Sequence, residues 1–319
     1  MPSIAARNRS WNRPAYVAGG GGATIASGSQ FRHLDFTGLS SGQSITALPG
    51  ISYGTQGGGA FAGGTSGCYG DTAVKRAGKS SSLRLSLISG STGRPVDGAD
   101  PQEGDFGFIV AMPTPVVDGG DIRFGEWAFF PTGFNFSTNA GYLKTHRFDT
   151  NSGGKIEYEI LCGLLDGLSP VGDPYGSACF YEAFPQAQSE TCRLSDTVTS
   201  RGTWHWIEQY VHVSSVAASS IRRVWLDNTL IVEEVGGNSM KWRNTGGTYT
   251  TSSFASPVPT LVNSSENVGA IYLHTYWNGG APQAQSRYVS NCIISNNNES
   301  ATDLITDSFG NKMIGNAYI

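Results

Sequence analysis

Charge is scarce in this chain. Asp, Glu, Lys and Arg make up 14% of its 319 residues, well below the ~25% of an ordinary globular protein. With 21 basic and 25 acidic residues the formal charge is −4, which excludes a blanket attraction to nucleic acid or to an anionic membrane. Long apolar runs are missing too: the longest, Phe106 to Met112, falls far short of the ~20 residues a spanning helix needs. The opening MPSIAARNRSWNRPAY carries arginines but no apolar core, so no secretory signal peptide is expected. Cysteine occurs only at positions 68, 162, 179, 192 and 292, without a CxxC pair or metal-ligand spacing. Cys179 and Cys192 have the spacing to close a small loop, and free buried thiols are the other reading. No phosphate loop, zinc signature or nucleophile elbow is present, and no metal or cofactor is expected. No stretch keeps a 3.6-residue period beyond about two turns, which excludes long helices, and no repeat has solenoid or propeller spacing.

Glycine, by contrast, reaches 43 residues, while 39% of the chain is hydrophobic and 11% aromatic. That is enough apolar surface for a core, so global disorder is excluded. Short β-favouring segments alternate with Gly, Ser, Asn and Pro clusters over 31–37, 82–89, 105–112, 122–130, 141–148, 155–162, 178–183, 203–213, 221–227, 229–235, 268–277 and 286–295. Many strands with turn-rich gaps predict an all-β sandwich or barrel. The clearest hairpin is Arg223 to Val232, where Asp227 and Asn228 supply the positive φ angles of a tight turn. Stretches 163–176 and 240–267 read as long loops.

Three regions follow: an irregular arm over 1–30, the sandwich over 31–298, and a tail over 299–319 with apolar points able to dock. In the arm, Arg7, Arg9 and Arg13 surround Trp11 ahead of a run of four glycines. Polyglycine cannot hold a regular element without a large entropy loss. The arm reads either as a frayed terminus or as a segment ordered by a neighbouring subunit, with Trp11 as its anchor.

Residues i and i+2 of a strand share a face. Tyr272, His274 and Tyr276 therefore group in one strand; Trp204, Trp206, Glu208, Tyr210 and His212 in a second; Tyr142, Lys144, His146 and Phe148 in a third, with Arg147 on the reverse. Three of the five histidines thus sit on tyrosine-bearing faces. Rings with polar tips on an open sheet suit stacking on sugars. A subunit interface and ordinary structural roles remain as alternatives. Two carboxylate pairs stand apart. Glu157 and Glu159 share a strand face, as a hydrolase pair would, but read more simply as a solvated strand edge. Asp118 and Asp121 flank a Gly-Gly turn, with calcium binding as the alternative to a polar turn.

The order Gly125-Glu126-Trp127 through Phe136, Gly141-Tyr142-Leu143-Lys144-Thr145-His146-Arg147, Trp204 to Val211, Ile271 to Gly280 and Tyr288 to Ser295 resembles jelly-roll polysaccharide lyases of the alginate- and glucuronan-lyase type. The resemblance runs from about 122 to 295. It implies a concanavalin A-like sandwich and, if the site is active, β-elimination on a uronate polymer. Lys144, His146, Arg147, Tyr210, His274 and Tyr276 would then supply charge neutralisation, base and acid. The lysine segment departs from the Gly-Lys-Leu-Pro-Gly-Leu type of the alginate enzymes, which favours binding over cleavage. On that reading Tyr142, Trp206, Tyr210, His212, Tyr272 and Tyr276 contact a glycan. Proteins of this kind also resemble accessory virion components of tailed bacteriophages. The implied partners are other virion subunits through residues 1–30, a polysaccharide or glycan, and further copies in a homo-oligomer, but not nucleic acid or membrane. The implied location is the virion, assembled in the host cytoplasm.

Overall fold

The computed structural model describes residues 24–27, 31–43, 45, 51–52, 68–87, 89–90, 108–136, 142–151, 155–161, 177–183, 191–236, 239–243, 247–253, 259–261, 263–277, 281–295, 304–306 and 312–314. Residues 1–23, with Arg7, Arg9, Trp11 and Arg13, lie outside them. The strands are β1 (Thr24–Ser27), β2 (Phe31–Asp35), β3 (Ile51–Ser52), β4 (Cys68–Asp71), β5 (Ser82–Leu87), β6 (Phe108–Val117), β7 (Asp121–Phe129), β8 (Tyr142–Thr150), β9 (Lys155–Leu161) and β10 (Ser177–Ala183). They continue as β11 (Thr191–Val198), β12 (Trp204–His212), β13 (Ile221–Leu226), β14 (Thr229–Val235), β15 (Ser239–Arg243), β16 (Tyr249–Ser253), β17 (Asn267–Trp277), β18 (Gln285–Ser295), β19 (Leu304–Thr306) and β20 (Lys312–Ile314). A 3-10 turn runs over Ala217–Ser219.

Two antiparallel sheets make up the body. The first has 11 strands, with β1-β2-β18-β7-β12-β13-β14-β15-β16 in order and β4 and β5 joined beside β18; the second has 7, in the order β11-β10-β9-β8-β17-β6-β3. All twelve expected strands form. Three expectations change. The arm is not wholly irregular, since β1 pairs with β2. The supposed loop 240–267 contains β15 and β16, which extend the 11-stranded sheet. The tail holds the hairpin β19–β20, whose second strand lies against β7 and β12.

Alternation builds the core. Ile122, Phe124 and Ala128 of β7 and Ile207 and Val211 of β12 meet Leu143 and Phe148 of β8 and Ile271 and Leu273 of β17, in one buried cluster. Rows of opposed side chains from two inner faces are what hold such a sandwich together. The core also encloses ion pairs. Arg287 pairs with Glu126 at 3.0 Å, Arg222 pairs with Glu234 at 2.8 Å, and all four side chains are fully enclosed. The other side of the 11-stranded sheet carries separate clusters, Trp206 with Ile293 and Trp127, and Tyr210 with Trp225 and Leu230. Gly125 lies beneath Trp206: a Cβ there would come within 2.5 Å of Trp206 Cη2, so only glycine lets the indole lie flat on β7.

The Asp227–Asn228 turn forms as expected. Both residues are left-handed, with φ of 49° and 63°, and Leu226 faces Thr229 across the two-residue loop. That is the turn whose twist matches the flanking strands. Cys68 and Cys292 are buried and outside any disulfide. In the β10–β11 register Cys179 opposes Leu194 while Cys192 opposes Tyr181, so the two cysteines are offset along the ladder rather than directly paired.

Candidate functional site

β8 and β17 are neighbours in the 7-stranded sheet, and a bulge decides which of their residues share a face. Lys144 opposes Glu159 of β9 and His146 opposes Tyr158, so Thr145 is an extra residue between them. An inserted residue reverses the alternation beyond it. Leu143, His146 and Phe148 are fully buried toward the core; the positions of Lys144 and Arg147 fall together on the opposite face. Strict alternation would have separated these two. A matching shift in β17 between Leu273 and Tyr276 sets Tyr272 opposite Arg147 and Tyr276 opposite Lys144, with His274 inside the shift.

Two rows result. One runs Ile109, Tyr272, Arg147, Glu157, Tyr181; the other runs Tyr276, Lys144, Glu159, Cys179. Tyr142 opposes Leu161 one step further on. Each basic position thus faces an acidic one, the arrangement that favours cross-strand ion pairing. Glu157 and Glu159 are not on a sheet edge as expected, because β9 lies between β8 and β10. Arg147 is nearly enclosed, at 3% exposure.

The remaining expected site residues lie elsewhere. His146 points between the sheets, where its Nε2 bonds Gln209 Oε1 of β12 at 2.6 Å and its ring packs on Phe124. Burial, with the nearby Arg287 charge adding to it, pushes its pKa down to about 3 against the pull of the Gln209 bond. It is a neutral core residue, not a groove acid or base. Trp206, Tyr210 and His212 belong to β12, in the other sheet, and cannot join the β8–β17 face. Trp206 is fully buried, and its Nε1 donates to Glu208 Oε2 at 3.1 Å. Tyr210 donates its hydroxyl to Asp121 Oδ1 at 2.7 Å, and His212 Nδ1 meets the same oxygen at 2.8 Å. Burial first, then that Asp121 bond, raises the Tyr210 phenol, so it keeps its proton and cannot act as a base. The single trough drawn from three strands does not form.

Asp121 is engaged by those two bonds, and Asp118 accepts the Ser215 N–H at 3.0 Å and the Ser215 hydroxyl at 2.5 Å. These serine bonds hold the Asp118 carboxyl below its ordinary range. Both aspartates are therefore turn and ladder residues. Among the described residues no group of three His, Cys, Asp or Glu side chains could hold a metal ion, and no helix is long and apolar enough to cross a membrane.

Sequence reasoning missed Arg123 and Arg223, which lie on the Tyr210 ring, and the roles of Gln209 as partner of His146 and of Asp121 as partner of Tyr210 and His212. The Arg123 guanidinium lies 4.7 Å from the Tyr210 ring centre and that of Arg223 5.6 Å. Pairing β7 with β12 would have revealed two of them, since Asp121 opposes His212 and Arg123 opposes Tyr210; neither strand alone carries that signal.

These two sheets and their strand order define a jelly-roll β-sandwich. Endo-β-1,4-glucuronan lyase from the fungus Trichoderma reesei aligns at 11% identity and a TM-score of 0.50, over 81% of this chain and 94% of that one. The alginate lyase of Aplysia kurodai follows at 14% identity and a TM-score of 0.44, over 72% and 87%. A pseudo β-1,3-glucanase of Mycobacterium tuberculosis aligns at 13% and 0.39, over 87% and 96%. At such identities the likeness is one of fold. No family model matches the chain, and no curated protein does.

Proposed function

We propose that the protein is a lectin-like jelly-roll that binds a surface glycan on the non-core face of β8 and β17 without cleaving it. The observation that carries this reading is the pair of register rows, Tyr272 with Arg147 and Tyr276 with Lys144. They set two tyrosine positions beside that of Lys144 within one patch of a sheet, where sugar rings stack and their hydroxyls find donors; Arg147, nearly enclosed, is not itself a donor to the sugar. Cleavage is disfavoured on two grounds. His146 and Tyr210, two of the six candidate lyase groups, serve elsewhere. The two cations that would neutralise a uronate carboxylate each face a glutamate position. The likeness in fold to a glucuronan lyase agrees with a sugar-handling role.

Stacking tyrosines contribute on the order of 1 kcal/mol each, so Tyr272→Ala and Tyr276→Ala are each expected to weaken glycan-array binding about fivefold. Trp206→Phe, in the other sheet, leaves binding unchanged. Uronate polymers incubated with the protein are expected to show no rise in ultraviolet absorbance from a new C=C bond. Tyrosine variants that bind like the native chain would remove the groove, and an absorbance rise lost in Lys144→Ala would establish a lyase instead.

Weak single sites become useful when many copies are displayed. We further infer that the chain is a subunit of a virion of the tailed-bacteriophage kind, tethered through the arm over residues 1–30. The clustering of Arg7, Arg9 and Arg13 around Trp11 supports this. Removing residues 1–22 should abolish incorporation into particles while leaving the thermal transition of the sandwich in place; unchanged incorporation would count against the tether.

A further inference from the structure

A second constellation lies at the end of the sandwich where β12 begins. His205 is buried, at 5% exposure, beside the exposed Ser200 of the preceding turn. Ser200 Oγ is 3.0 Å from His205 Nε2, and His205 Nδ1 is 2.7 Å from Asp227 Oδ2. The other carboxylate oxygen, Oδ1, accepts the Trp206 N–H at 2.9 Å, while the Asp227 N–H donates to the Trp206 carbonyl at 2.8 Å. The acid is thereby fixed against the strand that carries the histidine. Its left-handed φ of 49° is the one that the tight β13–β14 turn requires, so the turn holds the carboxylate in place.

From this geometry we propose that Ser200, His205 and Asp227 form an acyl-transfer site for small uncharged esters, such as an O-acetyl group. The relation of the three groups is that of a nucleophile, its base and the group that orients the base. Asp227 holds a proton on Nδ1 of the neutral ring, which leaves the Nε2 lone pair for the Ser200 hydroxyl. Nε2 has a second neighbour, the Ser200 carbonyl oxygen at 3.0 Å. A ring carrying both protons donates there and grips the turn; the neutral ring accepts from Oγ instead. In the reaction Oγ bonds to the ester carbonyl carbon while its proton passes to Nε2. The ester C–O bond then breaks, and the alcohol leaves with that proton. Water attacks the acyl-serine by the same route in reverse, releasing the carboxylic acid and restoring the hydroxyl. Ser200 opens directly to solvent at a turn, which suits a short acyl group on a bulky alcohol. The site is separate from the glycan-binding face, because His205 on β12 and Asp227 in the β13–β14 turn belong to the other sheet.

The test uses the full chain and a fluorophosphonate probe, with the adduct located by mass spectrometry, alongside hydrolysis of p-nitrophenyl acetate. The expected result is a single adduct on Ser200, abolished by Ser200→Ala, with hydrolysis falling to the uncatalysed rate. Asp227→Asn, a residue at home in a left-handed turn, keeps the fold and lowers both readouts at least tenfold, as does His205→Gln where it folds. An unlabelled native chain would overturn the proposal. So would labelling that survives Ser200→Ala, or labelling indifferent to Asp227→Asn, since a mere structural clamp would give those results.

Discussion

Glu126→Leu should cost about 3–5 kcal/mol of folding stability, the usual penalty for leaving one member of a buried ion pair alone. Glu126 on β7 and Arg287 on β18 are both fully enclosed and 3.0 Å apart. Burial alone raises the Glu126 carboxyl above its ordinary range, and the guanidinium works against that rise. Arg287 has little else to turn to, because its Nε and Nη1 atoms already lack a hydrogen-bond partner. Removing the carboxylate strands a cation between β-sheets at the distance where low polarity makes charge most expensive. The double variant Glu126→Leu with Arg287→Met should regain most of the loss, since a matched apolar pair carries no desolvation cost. Urea unfolding of the native chain, the single and the double variants separates the outcomes. A single variant that loses less than about 1 kcal/mol would mean that water reaches the pair and that the interior is not as dry as its burial implies.

The strands were legible because each is a local event. Val, Ile, Tyr and Trp runs bounded by glycine and asparagine turns mark β7, β12, β13, β14, β17 and β18 in the amino-acid order itself. β15 and β16 were not legible. Tyr249-Thr250-Thr251-Ser252-Ser253 has no alternating apolar face, and its extended form comes from pairing with β15, a contact between segments that sequence does not announce. The candidate site failed in part for a related reason. Period-two reading sorts residues within a strand, but it cannot say which sheet the strand joins, so β12 was grouped with β8 and β17 although it lies across the core from them. It also cannot see a bulge. One extra residue at Thr145 sends His146 inward and brings Lys144 onto the face of Arg147, reversing two assignments at once. The Asp227–Asn228 turn shows the opposite case, since its conformation is written in two adjacent residues and survives whatever packs around it.

The inward turn of His146 has a consequence that titration can read. Its pKa in the fold is about 3, from an ordinary value of 6.5. A depressed pKa means that the folded state holds the neutral ring, so the contribution is fully present above pH 6.5 and is lost as pH falls toward 3. A tenfold change in proton affinity corresponds to about 1.36 kcal/mol, so the whole contribution is on the order of 5 kcal/mol. The groups seen around the ring give its proton little support: Gln209 and Thr145 are neutral, Phe124 and Phe148 are apolar, and Arg287 is positive. Glu126 acts in the other direction, because its raised pKa favours the fold once it takes up a proton in acid. A comparison with His146→Gln cancels that shared contribution, since glutamine offers Gln209 a hydrogen bond but cannot titrate. The native chain should lose stability relative to His146→Gln at about 1.4 kcal/mol per pH unit below 6.5, measured by urea unfolding from pH 7.5 down to 4.5. A difference that stays flat over this interval would show that the imidazole is charged or hydrated in the folded protein, and that the bond between the two sheets is not the one that holds it.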